Sequence, residues 1–191
     1  NLAASLNKAG LSTHTLLINH CRADNTHAKS MQREKTEILP AFQSPIHEIF
    51  GILRLIIASI TLPSDAEVVV ENRFHRLARV AQFGGRAIGD FRIGQMLAKI
   101  IVAIQPRVII YTFEGHGWER IVATTAHALP IPSHVIGYQH AVLFPGNKSL
   151  YYDHGKGTVP DHVFTTGKIT KDILEKNITF FGGKISTLGS I

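Results

Sequence analysis

The chain has 191 residues, 45% of them hydrophobic and 18% charged, with a formal net charge of +6. This is enough apolar material for one α/β domain with a substantial core, and the composition excludes a disordered or highly solvated chain. The single cysteine, Cys21, excludes an internal disulfide and a cysteine zinc site. No basic run with interleaved aromatics argues for nucleic acid, and the positive balance favours an acidic partner: nucleotide, phosphate, anionic sugar or membrane surface.

In chain order, Leu2, Ala3, Leu6 and Ala9 form a helical stripe that Gly10 closes. Thr13 to Asn19 reads as a strand. Cys21 to Gln43 is polar and charged without periodicity, which predicts a long loop or a partly helical excursion. Its Arg22, Lys29, Arg33 and Lys35 read as a solvated face. Ser44 and Pro45 start a helix as cap and first residue. Ile46, Ile49, Phe50, Leu53, Ile56, Ile57 and Ile60 follow at helical spacing. This wide apolar face is expected in the core; the alternative is a surface that meets a partner or a membrane. The apolar stretch from Ile49 to Leu62 contains Arg54 and is too short to span a bilayer. Ser64 to Glu67 resembles a capping sequence, and a helix to Phe83 competes there with a strand over Val68 to Val70. Gly84 to Gly89 is expected as a break, without the preceding strand a dinucleotide loop needs. Asp90 to Ile104 is expected as a helix with Ile93, Leu97, Ile100, Ile101 and Ile104 on one face.

Arg107 to Phe144 organises the rest. The run Val108-Ile109-Ile110-Tyr111 suits a strand buried on both faces. A polar loop follows, Phe113-Glu114-Gly115-His116-Gly117. Trp118, Ile121, Val122 and Thr125 then recur at helical spacing until Pro130 and Pro132. A second strand, Val135-Ile136-Gly137-Tyr138, ends in Gln139-His140. This is a strand–helix–strand unit of the length a parallel crossover needs. Its two strands end side by side, and open α/β sheets bind ligands outside those ends. Residues about 25 apart, Glu114 and His116 against Gln139 and His140, thereby reach one rim. A carboxylate and two imidazoles there can move protons near neutral pH. Taken singly, each reads better as a helix cap or a solvated loop residue; as a group they describe a site.

Ala141 to Pro160 is expected as a long loop holding Asn147, Lys148, Tyr151, Tyr152, Asp153 and His154. Asp161 to Thr166 is a third strand, Ile169 to Asn177 a helix, and Lys184 to Leu188 a last strand. Gly167 and Lys168 fall at the same rim, where a helix N-terminus beside a lysine can receive an anion; a plain turn with a surface lysine fits equally. The expected fold is α/β: a Rossmann-like parallel sheet flanked by helices, with strands near 13–19, 107–112, 133–139, 162–166 and 184–188.

The series Tyr111 to Arg120, Ile136 to Pro145, Pro160 to Leu174 and the closing Ser186 to Ile191 resembles bacterial and archaeal surface-carbohydrate glycosyltransferases of the GT-B fold. Lipopolysaccharide, O-antigen and capsule enzymes akin to Kdo and sialic-acid transferases are nearest, and the CDP-glycerol glycerophosphotransferases are more distant. The likeness covers the second half of the chain. It implies the N-terminal, acceptor-binding half of a two-domain enzyme, with residues 1–191 as one Rossmann-like domain cut from a longer chain. The missing C-terminal half would bind a nucleotide-sugar donor. Glu114 matches the motif glutamate, Trp118-Glu119 the start of its helix, and Gln139-His140 the Gln-His pair. Ala141 stands where family members often carry Gly. The resemblance implies transfer of a sugar to a carbohydrate or lipid-linked acceptor. The setting implied is cytoplasmic, with peripheral association at the inner face of the cell membrane.

On that reading, Glu114 or His140 takes the acceptor proton, His116 orients, and Gly167 and Lys168 meet negative charge. Gln139 binds substrate. Trp118 stacks on a sugar or belongs to the core, and Glu119 and Arg120 are structural. No cofactor or metal is expected, since the eleven histidines include no close ligand pair on one helix face. The rival readings are a non-catalytic sugar- or nucleotide-binding domain of the same fold, and a nucleotide-sugar epimerase or hydrolase.

Overall fold

The computed structural model describes residues 2–18, 36–39, 44–61, 85–143, 148–151, 155, 157–178 and 181–189. The helix or strand expected between Ser64 and Phe83 lies outside them, as do Cys21 and Asn147, Tyr152, Asp153 and His154 of the long loop. The chain divides into two compact units, Asn1–Ile56 and Ile57–Ile191.

In the first unit, helix α1 (Leu2–Lys8) ends as expected at Gly10. The N–H of Leu11 donates to the Leu6 carbonyl and that of Gly10 to Asn7, which satisfies the last carbonyls of the helix. Strand β1 (Thr15–Ile18) does not join the large sheet. It pairs in parallel with β2 (Thr36–Leu39), a strand inside the stretch expected to be loop. Four residues are too few to show a period, so Thr36-Glu37-Ile38-Leu39 left no signal. Helix α2 (Pro45–Thr61), whose last residues belong to the second unit, begins at the expected Pro45. Its apolar stripe is not core: Ile46, Ile49, Phe50 and Leu53 are all exposed. Spacing tells which side chains share a face, not whether anything covers it.

The second unit carries the expected fold. Four strands, β3 (Val108–Thr112), β4 (His134–Gln139), β5 (His162–Thr165) and β6 (Lys184–Thr187), pair in chain order, all parallel. The register sets Tyr111 beside Gly137 and Gln139 beside Thr165. This is a Rossmann-like parallel α/β arrangement flanked by helices.

The break was expected at Gly84 to Gly89; from Gly85 on, helix α3 (Gly85–Ile104) runs through it. Its buried residues include Met96, Leu97 and Ile101. It lies so close to α4 (Gly117–His127) that a Cβ on Gly94 would stand 2.5 Å from Ile121 Cδ1. On the sheet, Ala123 and Ala126 of α4 pack on Val135, with Ile109 and Tyr111 beside them. Leu174 of α6 (Lys168–Asn177) joins Val163, Phe113, Ile178 and Leu150, the last from the short α5 (Lys148–Tyr151).

These contacts fall on one face of the sheet. On the other, Val108 and Ile110 are 50% and 44% exposed, so β3 is not buried on both faces as expected. Among the described residues it is an edge strand, and its Ile109 and Tyr111 meet the helices. A short apolar run is the same in either case.

Candidate functional site

The β3–α4 loop and the end of β4 meet at the C-terminal rim of the sheet. There the Glu114 carboxylate lies between two imidazoles. His116 Nε2 is 3.4 Å from Glu114 Oε2, and His140 Nε2 is 3.5 Å from Oε1. The Glu114, His116 and His140 side chains are 32%, 25% and 46% exposed, so solvent reaches them.

Each group is held by its own element. Strand alternation sends Gln139 and His140 to opposite faces. His140 turns outward and stacks on Tyr138, ring centroids 6.0 Å apart, while the Tyr138 hydroxyl donates to the Gly189 carbonyl. Gln139 turns inward and is fully buried; its Oε1 accepts the Ala141 N–H at 2.7 Å, which turns the chain after β4. His116 lies at the N-cap of α4 and stacks on Trp118 at 6.2 Å. Trp118 is buried and meets Tyr111 edge-on at 5.8 Å, which places its ring in the core beneath the site.

Gly115 carries the turn between the acid and the imidazole. Its φ is +85°, and a Cβ there would meet Ser149 Oγ at 2.5 Å and the Leu150 backbone nitrogen at 3.2 Å. Only glycine combines that backbone with that proximity. Two ties across elements fix the helix start: Gly117 N–H donates to Asp90 Oδ2 at 3.1 Å, and the Arg120 guanidinium donates to the Ser149 carbonyl.

Glu119, expected to be structural, is buried and anchors the loop. Its Oε1 accepts the Glu114 N–H at 2.9 Å, and its Oε2 accepts the Gly115 N–H at 2.8 Å. Burial pushes its pKa up to about 7, against the loop N–H groups of Glu114, Gly115 and His116, which favour the charged form; the Glu114 charge adds to the rise. The signal was present. Glu119 is the third residue of α4, the position from which a glutamate reaches back to the N–H groups ahead of its helix. Beneath it, burial and then the Glu119 charge push the Tyr111 hydroxyl far above its ordinary pKa, so it stays neutral. The Tyr111 hydroxyl, the Trp118 indole N–H and the Gln139 Nε2 are buried without a hydrogen-bond partner among the described residues.

Gly167 and Lys168 stand at the end of β5, on the same edge but two strands away from β3. The Lys168 ammonium is exposed and bound to Asp172 at 2.6 Å on its own helix, which raises its pKa. No hydrogen bond or ion pair among the described residues joins it to Glu114.

A second titratable cluster lies at the N-terminal edge of the sheet. His127 Nε2 is 3.2 Å and His134 Nδ1 3.6 Å from Asp161 Oδ2, which also accepts the Val135 N–H at 2.7 Å. Burial alone would raise the Asp161 pKa, but the Val135 N–H and the His127 ring outweigh it and hold the carboxyl below its ordinary range. Among the described residues no group of histidines, cysteines and carboxylates has the geometry of a metal site. No helix among them is long and apolar enough to cross a membrane. No protein-family model, curated protein or solved structure matches the chain.

Proposed function

We propose that this chain is the acceptor-binding half of a glycosyltransferase of surface-carbohydrate biosynthesis, which moves a sugar from a nucleotide-sugar donor to a carbohydrate or lipid-linked acceptor. The observation that carries the reading is the Glu114 carboxylate between His116 and His140 at an open rim. In this reading Glu114 takes the proton of the acceptor hydroxyl as the sugar is transferred. His116 orients it, and His140 offsets the charge that develops. The N-terminus of α6 at Gly167 and Lys168 faces the anionic end of the substrates. Gln139 supports the rim from below rather than by reaching solvent. The donor half lies in a further domain, and the enzyme works at the inner face of the cell membrane.

The test compares wild type with Glu114→Gln in a chain that carries the donor half, using a panel of nucleotide sugars and carbohydrate acceptors. Glu114→Gln is expected to lower turnover by roughly 10²-fold or more, the range of a general base, with an unchanged melting temperature. Normal turnover in Glu114→Gln would end the catalytic claim. Acceptor binding without transfer would mark a binding domain, and free or interconverted donor sugar would mark a hydrolase or epimerase.

A further inference from the structure

We propose that Glu119 is a positioning residue for this rim: its buried carboxylate holds Glu114 between His116 and His140 by accepting the loop N–H groups, and a proton on Glu119 releases that hold. The proposal deepens the acceptor-side reading above and rests on it for its functional meaning. The geometry stands by itself. Glu119 is 1% exposed, and its two oxygens take the N–H groups of the two residues that precede His116. These hydrogen bonds fix the backbone from which the Glu114 side chain leaves. At the far end of the loop Gly117 is tied to Asp90, and Gly115 has no room for a Cβ beside Ser149 and Leu150, whereas the Glu114 N–H is held by Glu119.

Protonation changes the arithmetic of donors and acceptors. An ionised carboxylate offers two acceptor oxygens to this loop. A protonated one turns one oxygen into a donor that faces N–H groups, which are donors too. The ionisable groups around Glu119 are Glu114 and His116 in the loop, Arg120 on its own helix, Tyr111 on β3 and Asp90 on α3. α5 brings Ser149 and Leu150 to that corner, neither of them ionisable. The elevated pKa of Glu119 puts the switch near neutral pH.

The test needs no activity. Nuclear magnetic resonance spectra of the 191-residue chain are recorded across pH 5 to 8 for wild type, Glu119→Gln and Glu114→Gln. In wild type the amide protons of Glu114 and Gly115 are expected to titrate together, with a midpoint near 7. In Glu119→Gln that titration disappears, and the two amides exchange with solvent about tenfold faster or more, as loss of a hydrogen bond to a charged group implies. The ring 15N signals of His116 and His140 then change as they do in Glu114→Gln, while those of His127 and His134 stay in place. Should Glu119→Gln fail to fold, the wild-type titration decides: Glu114 and Gly115 amide protons that titrate together near pH 7 support the hold, and amides that do not titrate overturn it. Amides that respond while both rings stay unchanged would reduce Glu119 to a helix cap and overturn the positioning role. A failed sugar-transfer assay leaves each of these outcomes readable.

Discussion

Asp161 gathers one backbone N–H and two imidazoles onto a single oxygen. Its pKa in the fold lies below the ordinary 3.8, so its contribution is present above 3.8 and is lost as pH falls through the lower folded value. Asp161→Asn is therefore expected to lower the urea midpoint at pH 6 and to approach wild type as pH is taken below 3. A difference that stays constant with pH would show that shape, not charge, is what Asp161 supplies. At this scale the sequence was readable where chemistry and position coincide. Glu114, His116 and His140 could be grouped because two parallel strands must end together. Gln139 was expected to bind substrate, but strand alternation turns its amide into the core while the His140 ring stays exposed. Glu119 was read as structural, a partner of the helix dipole; its place as third residue of α4 also signals a reach back to the loop N–H groups, while which N–H groups it takes depends on the turn at Gly115.

Elements were legible where their period is long. α1, α2, α4 and α6, and the four strands of the large sheet, form within a few residues of their expected places. β2 was too short to see, and the glycines at 85 and 89 read as a break although α3 runs through both. Tertiary packing overrides a local propensity of about 1 kcal/mol per glycine. Burial was the least legible property. Phe50 on α2 is 60% exposed, while Leu174 on α6 is fully buried between the sheet and α5. Leu174→Ala is expected to cost about 2–5 kcal/mol and Phe50→Ser to stay within about 0.5 kcal/mol, measured by urea unfolding. A Phe50→Ser cost close to that of Leu174→Ala would show that the α2 stripe is covered in solution.

For the molecule as a whole, Glu119 and His162 make opposing demands on stability. Glu119 has a folded pKa raised from 4.5 to about 7, so the fold holds a proton there that the unfolded chain has given up. Its contribution is full below 4.5 and is lost as pH rises to about 7. His162 acts in the other direction: burial, Lys184 and His134 hold its pKa below 6.5, so its contribution is present above 6.5 and fades as pH falls. Magnitude decides between them. The Glu119 displacement corresponds to on the order of 3 kcal/mol, whereas that of His162, only partly buried between Ser186 and Phe164, is discounted for solvent screening. Stability of the unit from Ile57 to Ile191 is therefore expected to fall between pH 5 and pH 8. Trp118, the only tryptophan, is buried in that unit and reports its unfolding by fluorescence. Urea titrations at pH 5, 6, 7 and 8 should give a declining free energy in wild type and a flatter profile in Glu119→Gln. Parallel profiles, or a wild-type curve that rises across this range, would count against the assignment. The decline has a functional counterpart, because the charge that destabilises the fold at higher pH is the same charge that holds the Glu114 loop. The rim is then best assembled where the domain is least stable, the compromise expected when an ionised carboxylate is kept out of water to aim a neighbouring group.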